Sequence, residues 1–364
     1  MNHYSKIFSK YLSDDAMEAV IADEALIQHM LTFEAALANA QAQLNMIPLK
    51  AALQIEAAIR QLSLKPTALA ASTLQNGIPV IALLAHIKTK LPDGAKGHLH
   101  MGATSQDVMD TAQVLIIKNA LEIIETKTSV LIKQLTKLSK QFAKTPCMAH
   151  TRGQQALPIT FGSKVNAWLQ PLQRQLHRLK QIKQDLLVVQ LGGAVGNLAA
   201  YVKKGPLLNK LLAKKLQLQP AASWHTQRDG LAAFTNWLAM HTSIMGKMGA
   251  DVMVMAQSEV NEVTENVTGG GKSSAMPHKN NPVLSEALVA IAKINAGLQQ
   301  QMLLAMLHQN ERDATAWILE WNALPQLLNY TATALTHAVS ITTNIKINAA
   351  QMLANIEKFK KAIE

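Results

Sequence analysis

From Asp107 to Lys144 the chain carries neither proline nor glycine. Ile117, Leu121, Ile124, Thr128, Leu131, Leu135, Leu138 and Phe142 recur there at alternating spacings of four and three. At about 1.5 Å of rise per residue, a helix over this stretch spans more than about 50 Å. A helix of that length with one apolar seam requires a bundle around it and favours burial against further copies of the chain. Similar patterns cover Leu157–Val189, Leu231–Val267 and Val283–Gln309, with Val252, Ala256, Val260, Val263 and Val267 on one stripe. Ser13–Leu44 opens on a Ser-Asp-Asp helix start, and Leu26, Met30, Phe33, Leu37, Ala40 and Leu44 follow on one face. No useful period-2 alternation appears, so the expected architecture is all-α: an elongated long-helix bundle.

Pro48, Pro66, Pro79 and Pro92 cut the early chain into short helices, which places an N-terminal helical domain at 1–104 and the central bundle at 105–350. With 364 residues and 49% hydrophobic content, the chain can bury a large core without staples. Cys147 is the only cysteine, which excludes an intrachain disulfide and a cysteine-based metal site. No apolar run reads as a leader or a membrane span, so the expectation is a cytoplasmic protein without a membrane partner. The net charge of +11 comes from dispersed lysines, and aromatics at 4% do not interleave with them. That argues against nucleic acid and for a small polyanionic substrate.

Between the last two helical patterns lies Gly269-Gly270-Gly271-Lys272-Ser273-Ser274-Ala275-Met276-Pro277-His278-Lys279-Asn280-Asn281-Pro282. It is a glycine- and serine-rich lead-in to a proline-bracketed polar segment, suited to hang from a rigid scaffold and close over a ligand. A second cluster, His98-Leu99-His100-Met101-Gly102-Ala103-Thr104-Ser105, stands at the start of the long helix, where amide and hydroxyl donors meet an anion. His98 and His100 alternate but have no third ligand near them, so no metal is expected. A third cluster runs from His150 through Arg152 and Gln155 to Gly162, and a fourth is Glu311-Arg312-Asp313.

The wording Ser-Ser-Ala-Met-Pro-His-Lys-x-Asn-Pro resembles the signature loop of the fumarase/aspartase superfamily, and within it the 3-carboxy-cis,cis-muconate cycloisomerase branch. Gln190–Asn197, Trp224–Asp229 and the opening Ser13–Ala38 resemble that branch too. The resemblance implies a homotetramer whose active sites draw on several subunits, a tricarboxylate substrate and no cofactor. It implies Ser273 as catalytic acid/base, with Lys279 beside it. Ser274, Met276 and Asn281 in the same loop, and His100, Thr104, Ser105, Arg152, Gln155 and Arg312 elsewhere, then bind substrate. Arg152 and Gln155 stand where lyases of the superfamily carry histidines, which speaks against protonation of a leaving amine and suits a carboxylate clamp. Lys272 and Asn280 depart from the glycine and arginine common in the loop. Residues 351–364 read as the vestige of a third, C-terminal domain. The alternatives are a fumarate-releasing C–N lyase and a non-catalytic helical scaffold.

Overall fold

The structure, a computed structural model, describes residues 6–267 and 270–363; Gly269 of the signature loop lies outside them. Short helices α1 (Lys6–Leu12) and α2 (Asp15–Val20) lead to α3 (Asp23–Gln43), α4 (Leu49–Arg60), α5 (Thr67–Asn76), α6 (Val80–Thr89) and α7 (Asp93–Lys96). The long helix α8 (Ser105–Gln141) is followed by a hairpin, β1 (Pro146–Thr151) and β2 (Gln154–Thr160). Next come α9 (Phe161–Leu186), α10 (Gly205–Leu216), α11 (Asp229–Met255), β3 (Val263–Thr264), α12 (Val283–Leu304), α13 (Ala314–Asn344), β4 (Lys346–Ile347) and α14 (Ala349–Ile363).

The all-α expectation holds, with corrections in detail. Ser13–Leu44 is two helices, because the chain bends at Ile21-Ala22. Leu157–Thr160, read as helix, is the second strand of a hairpin, and α9 begins only at Phe161. The Val252-to-Val267 stripe is helical only as far as Met255; Val263 instead pairs with Ile347 in a two-stranded sheet. α12 stops at Leu304, short of Gln309. Sequence periodicity missed α13 altogether, a helix of 31 residues that carries Pro325 in its interior. Proline removes one backbone donor and crowds the preceding turn, so it reads as a breaker. Packing of Leu324, Leu327, Leu328 and Leu335 into the core overrides that local cost.

Among the described residues, two hydrophobic cores form. One joins α8, α9, α11, α12 and α13 through Leu131, Trp168, Trp237, Leu288 and Leu327. The other joins α3–α7 to the first turns of α8 and to residues 189–218, through Phe33, Leu83, Met109, Leu191 and Leu212. Buried polar side chains pin the bundle in register: Trp168 Nε1 donates to Asp251 Oδ2 at 2.7 Å, and Trp237 Nε1 to the Gln175 carbonyl at 2.9 Å.

The α11–α12 contact is close because Gly249 has no side chain. A Cβ there stands 2.6 Å from the Ser285 carbonyl oxygen, a backbone atom that cannot swing aside. Gly249→Ala should therefore destabilise the fold by about 1–3 kcal/mol, an overpacking cost that outweighs alanine's better helix propensity. Urea titration of the variant checks this; equal or higher stability contradicts the packing.

Candidate active site

The N-terminal end of α8 is where the structure gathers functional groups most densely. Thr104 is the residue before the helix, in an extended conformation, and its amide donates to Asp107 Oδ2 at 3.0 Å. This is the capping logic of a helix start, and it leaves Thr104 and Ser105 partly exposed. Asp107 itself is fully buried and takes three further hydrogen bonds: from the Gly192 amide at 2.8 Å, the Gly193 amide at 3.0 Å and His225 Nε2 at 2.9 Å. One carboxylate thus ties the Thr104 loop, the Gly192-Gly193 turn and the Trp224–Asp229 segment together.

One helical turn on, Asp110 receives Arg228 in a two-point contact, Nη1 to Oδ2 at 2.8 Å and Nη2 to Oδ1 at 3.1 Å. Arg228 Nε also donates to Glu320 Oε1 at 2.7 Å, and its Nη2 to Glu320 Oε2. All three side chains are buried, and Arg228 lies 4.8 Å from the centre of the Trp224 ring. Burial lifts the Glu320 carboxyl above its ordinary range even with Arg228 beside it.

Arg312 arrives from the loop between α12 and α13. Its Nε donates to Gln106 Oε1 at 3.0 Å and one terminal nitrogen to the Ala194 carbonyl at 2.9 Å. His100 sits on the other flank in the left-handed region, φ 61°, and its Nδ1 pairs with Oε1 of the buried Glu34 at 2.6 Å. Burial alone lowers the imidazole pKa, but the hydrogen bond and charge of Glu34, with Asp107 behind it, outweigh that and raise it. The structure therefore unites four predicted residues, His100, Thr104, Ser105 and Arg312, at one end of the bundle.

Because the folded His100 pKa is raised, its protonated form stabilises the protein fully below the unfolded value of about 6.5. That contribution disappears as pH rises through the folded value. The stability gap between wild type and His100→Gln, measured by urea unfolding at pH about 5.5 and about 9, should be larger at the lower pH. A gap that widens with pH contradicts an imidazolium–Glu34 pair.

Arg152 and Gln155 lie elsewhere. Thr151 pairs with Gln154, so Arg152 (φ 52°) and Gly153 (φ 82°) are the two central residues of a tight hairpin turn. Arg152 is exposed at the tip, and Gln155 lines a small cavity with Glu259, Glu262 and Lys358. The 37 residues of α8, about 55 Å of helix, separate this hairpin from Thr104.

Ser273, Ser274, Met276, Lys279 and Asn281 occupy a third place. The loop is closed at its base by a bridge between Lys272 and Asn280 and by the Asn281 amide donating to the Gly271 carbonyl at 2.8 Å. Ser273 Oγ accepts from the Met276 amide at 3.1 Å, so the hydroxyl is oriented while its own proton stays available. Met276, Lys279 and Ser274 are exposed. The helix N-terminus after Pro282, a source of positive potential near Ser273, is already occupied. Glu265 accepts from the Leu284 amide at 3.0 Å and the Ser285 amide at 2.8 Å. A carboxylate there cancels the end of the helix dipole, so Lys272 and Lys279 remain as the loop's own source of positive field.

The Ser273 loop also stands far from Thr104 and Arg312 along the chain's own fold. Asn266, on its incoming side, donates to the carbonyl of Asn344 at the far end of α13. On its outgoing side the Val283 carbonyl accepts from Tyr11 Oη, and the Tyr11 carbonyl from His337. From Ala314 to His337 is about 35 Å of helix. Among the described residues, no hydrogen bond or ion pair joins either remote group to the Thr104–Arg312 cluster.

Gln106, Asp107, Asp110, His225 and Arg228 were not singled out as site residues from sequence. The available signal was two acids and an amide within the first turns of an otherwise apolar-faced helix, charges that have to find partners when buried.

The chain matches the model of a family described as lyase over residues 2–294. A 3-carboxy-cis,cis-muconate cycloisomerase of Pseudomonas aeruginosa is 37% identical over 357 residues, 97% of this chain and 78% of that protein. An N-acetyl-S-(2-succino)cysteine lyase of Enterococcus italicus is 33% identical over 352 residues, 94% of this chain and 75% of that protein. The crystal structure of a 3-carboxy-cis,cis-muconate lactonizing enzyme from Pseudomonas putida superposes with a TM-score of 0.90 at 35% identity, covering 97% of this chain and 80% of that one. Among the described residues no helix is long and apolar enough to cross a membrane. With matches of this extent in both sequence and fold, the chain is an enzyme of the lyase family, within the fumarase/aspartase superfamily.

Proposed function

We propose that the enzyme closes 3-carboxy-cis,cis-muconate to a carboxymuconolactone. The distal carboxylate oxygen attacks the conjugated double bond and forms the ring C–O bond. The displaced electron pair moves toward the neighbouring carboxylate as an enediolate, and the adjacent carbon takes a proton from Ser273. Solvent then returns a proton to the serine. Arg312, Thr104 and Ser105 hold one carboxylate, Arg152 clamps a second across a subunit boundary, and Lys279 and Asn281 hold the charge that develops in the transition state. No cofactor takes part in these steps.

The observation that carries this reading is Arg152 at a tight turn where superfamily lyases place a proton-donating histidine. A departing amine needs a proton, which arginine does not supply at neutral pH; an attacking carboxylate needs a cation to orient it. The large separation of the three groups in one chain supports a homotetramer with shared sites, since no single subunit brings them together. The test is incubation with 3-carboxymuconate while following the loss of its diene absorbance. An enzyme that leaves the diene intact and instead cleaves a nitrogen- or sulfur-linked succinyl compound overturns the proposal.

A further inference from the structure

We infer that Gln106 is a positioning residue that fixes the substrate-facing direction of Arg312. This rests on the reading of Arg312 as a carboxylate clamp and extends it to a residue that does not itself meet substrate. Gln106 is fully buried. Its Nε2 donates to Asp110 Oδ2 at 3.1 Å and to the His225 carbonyl at 2.8 Å. Both partners are acceptors only, so the amide has a single satisfied orientation, and in it Oε1 points to Arg312 Nε at 3.0 Å.

Asp110 is in turn held by the two-point contact with Arg228, which Glu320 anchors from α13. The result is a relay of fixed groups, Glu320 to Arg228 to Asp110 to Gln106, that ends on an exposed arginine. Arg312 itself has a long flexible stem and no carboxylate partner among the described residues. Two neutral acceptors, Gln106 Oε1 and the Ala194 carbonyl, orient the guanidinium without cancelling its charge, leaving its remaining donors for an anion. A glutamate at position 106 would hold Arg312 more tightly and neutralise it; glutamine orients it and keeps the charge for substrate.

The test is a double-mutant cycle on the full-length enzyme, with Gln106→Met and Arg312→Ala singly and together. The readout is calorimetric binding of propane-1,2,3-tricarboxylate, an unreactive tricarboxylate. Turnover of 3-carboxymuconate is followed on the same preparations. Gln106→Met should weaken binding about tenfold when Arg312 is present and by less than about twofold when it is absent. In turnover it should raise KM more than it lowers kcat. If thermal melting shows that Gln106→Met does not fold, Gln106→Asn, whose amide falls one methylene short, is read in the same way.

An equal loss with and without Arg312 marks Gln106 as a packing residue and overturns the inference. So does unchanged binding in Gln106→Met, or a wild type that binds no tricarboxylate. An active wild type with an additive cycle sinks the positioning role alone. A non-additive cycle in a protein that leaves carboxymuconate untouched sustains it and sinks the cycloisomerase proposal alone.

Discussion

Replacing Ser273 by alanine is expected to lower kcat by about 10²- to 10⁴-fold, the range a positioned acid/base contributes, while substrate affinity changes only a few-fold. A hydroxyl that acts on the proton moving in the transition state adds little to ground-state binding. The structure distinguishes it from its neighbour: Ser273 Oγ is oriented by the Met276 amide, whereas Ser274 is exposed and has no such contact. Ser274→Ala should therefore cost much less. Initial rates together with calorimetric binding of the unreactive tricarboxylate separate the two effects. A Ser273→Ala enzyme within about tenfold of wild-type kcat rules the serine out as the proton carrier.

Serine is a poor acid/base unless positive potential stabilises its alkoxide, and the structure narrows where that potential arises. The N-terminus of α12 is capped by Glu265, which leaves Lys272 and Lys279 within the loop and whatever a neighbouring subunit of the proposed tetramer contributes. In this light Lys272, where the family commonly has glycine, adds a charge beside the serine it precedes.

Sequence patterns carried the bundle because its helices repeat apolar residues at the helical period, and α8, with no internal breaker, was legible to within two or three residues at each end. Two kinds of feature escaped. α13 was not read from the sequence; burial of the leucines around Pro325 holds it helical, as packing holds α9 helical around Pro171. The Arg152-Gly153 turn hid β1 and β2, since a two-residue hairpin depends on two positive φ angles, and arginine does not announce one. The candidate site divides the same way. Motif residues such as Thr104, Arg312 and Ser273 are visible as wording. The network of Asp107, Asp110, His225 and Arg228 exists only because segments 85 to 118 positions apart along the chain are buried against one another, and nothing local records that.

Mixing two inactive variants, Arg312→Ala and Ser273→Ala, should restore activity, and the geometry sets how much. Arg312 stands at the start of α13, while the stems of the Ser273 loop are tied to His337, through Tyr11, and to Asn344, some 35 Å or more along the same helix. Each site of the proposed tetramer must then take Arg312 from one subunit and Ser273 from another. After random reassembly of equal amounts, half the subunits offer an intact Arg312 and half an intact Ser273, so about a quarter of the sites regain both. The two variants are dissociated, mixed, reassembled and assayed, with mass measured by light scattering and exchange followed by tagging one variant. Recovery near a quarter of wild-type activity, from parents reduced by orders of magnitude, is the expected result. Demonstrated exchange with no recovery means that Arg312 and Ser273 do not serve the same site from different subunits. A monomer in solution removes the shared-site proposal altogether.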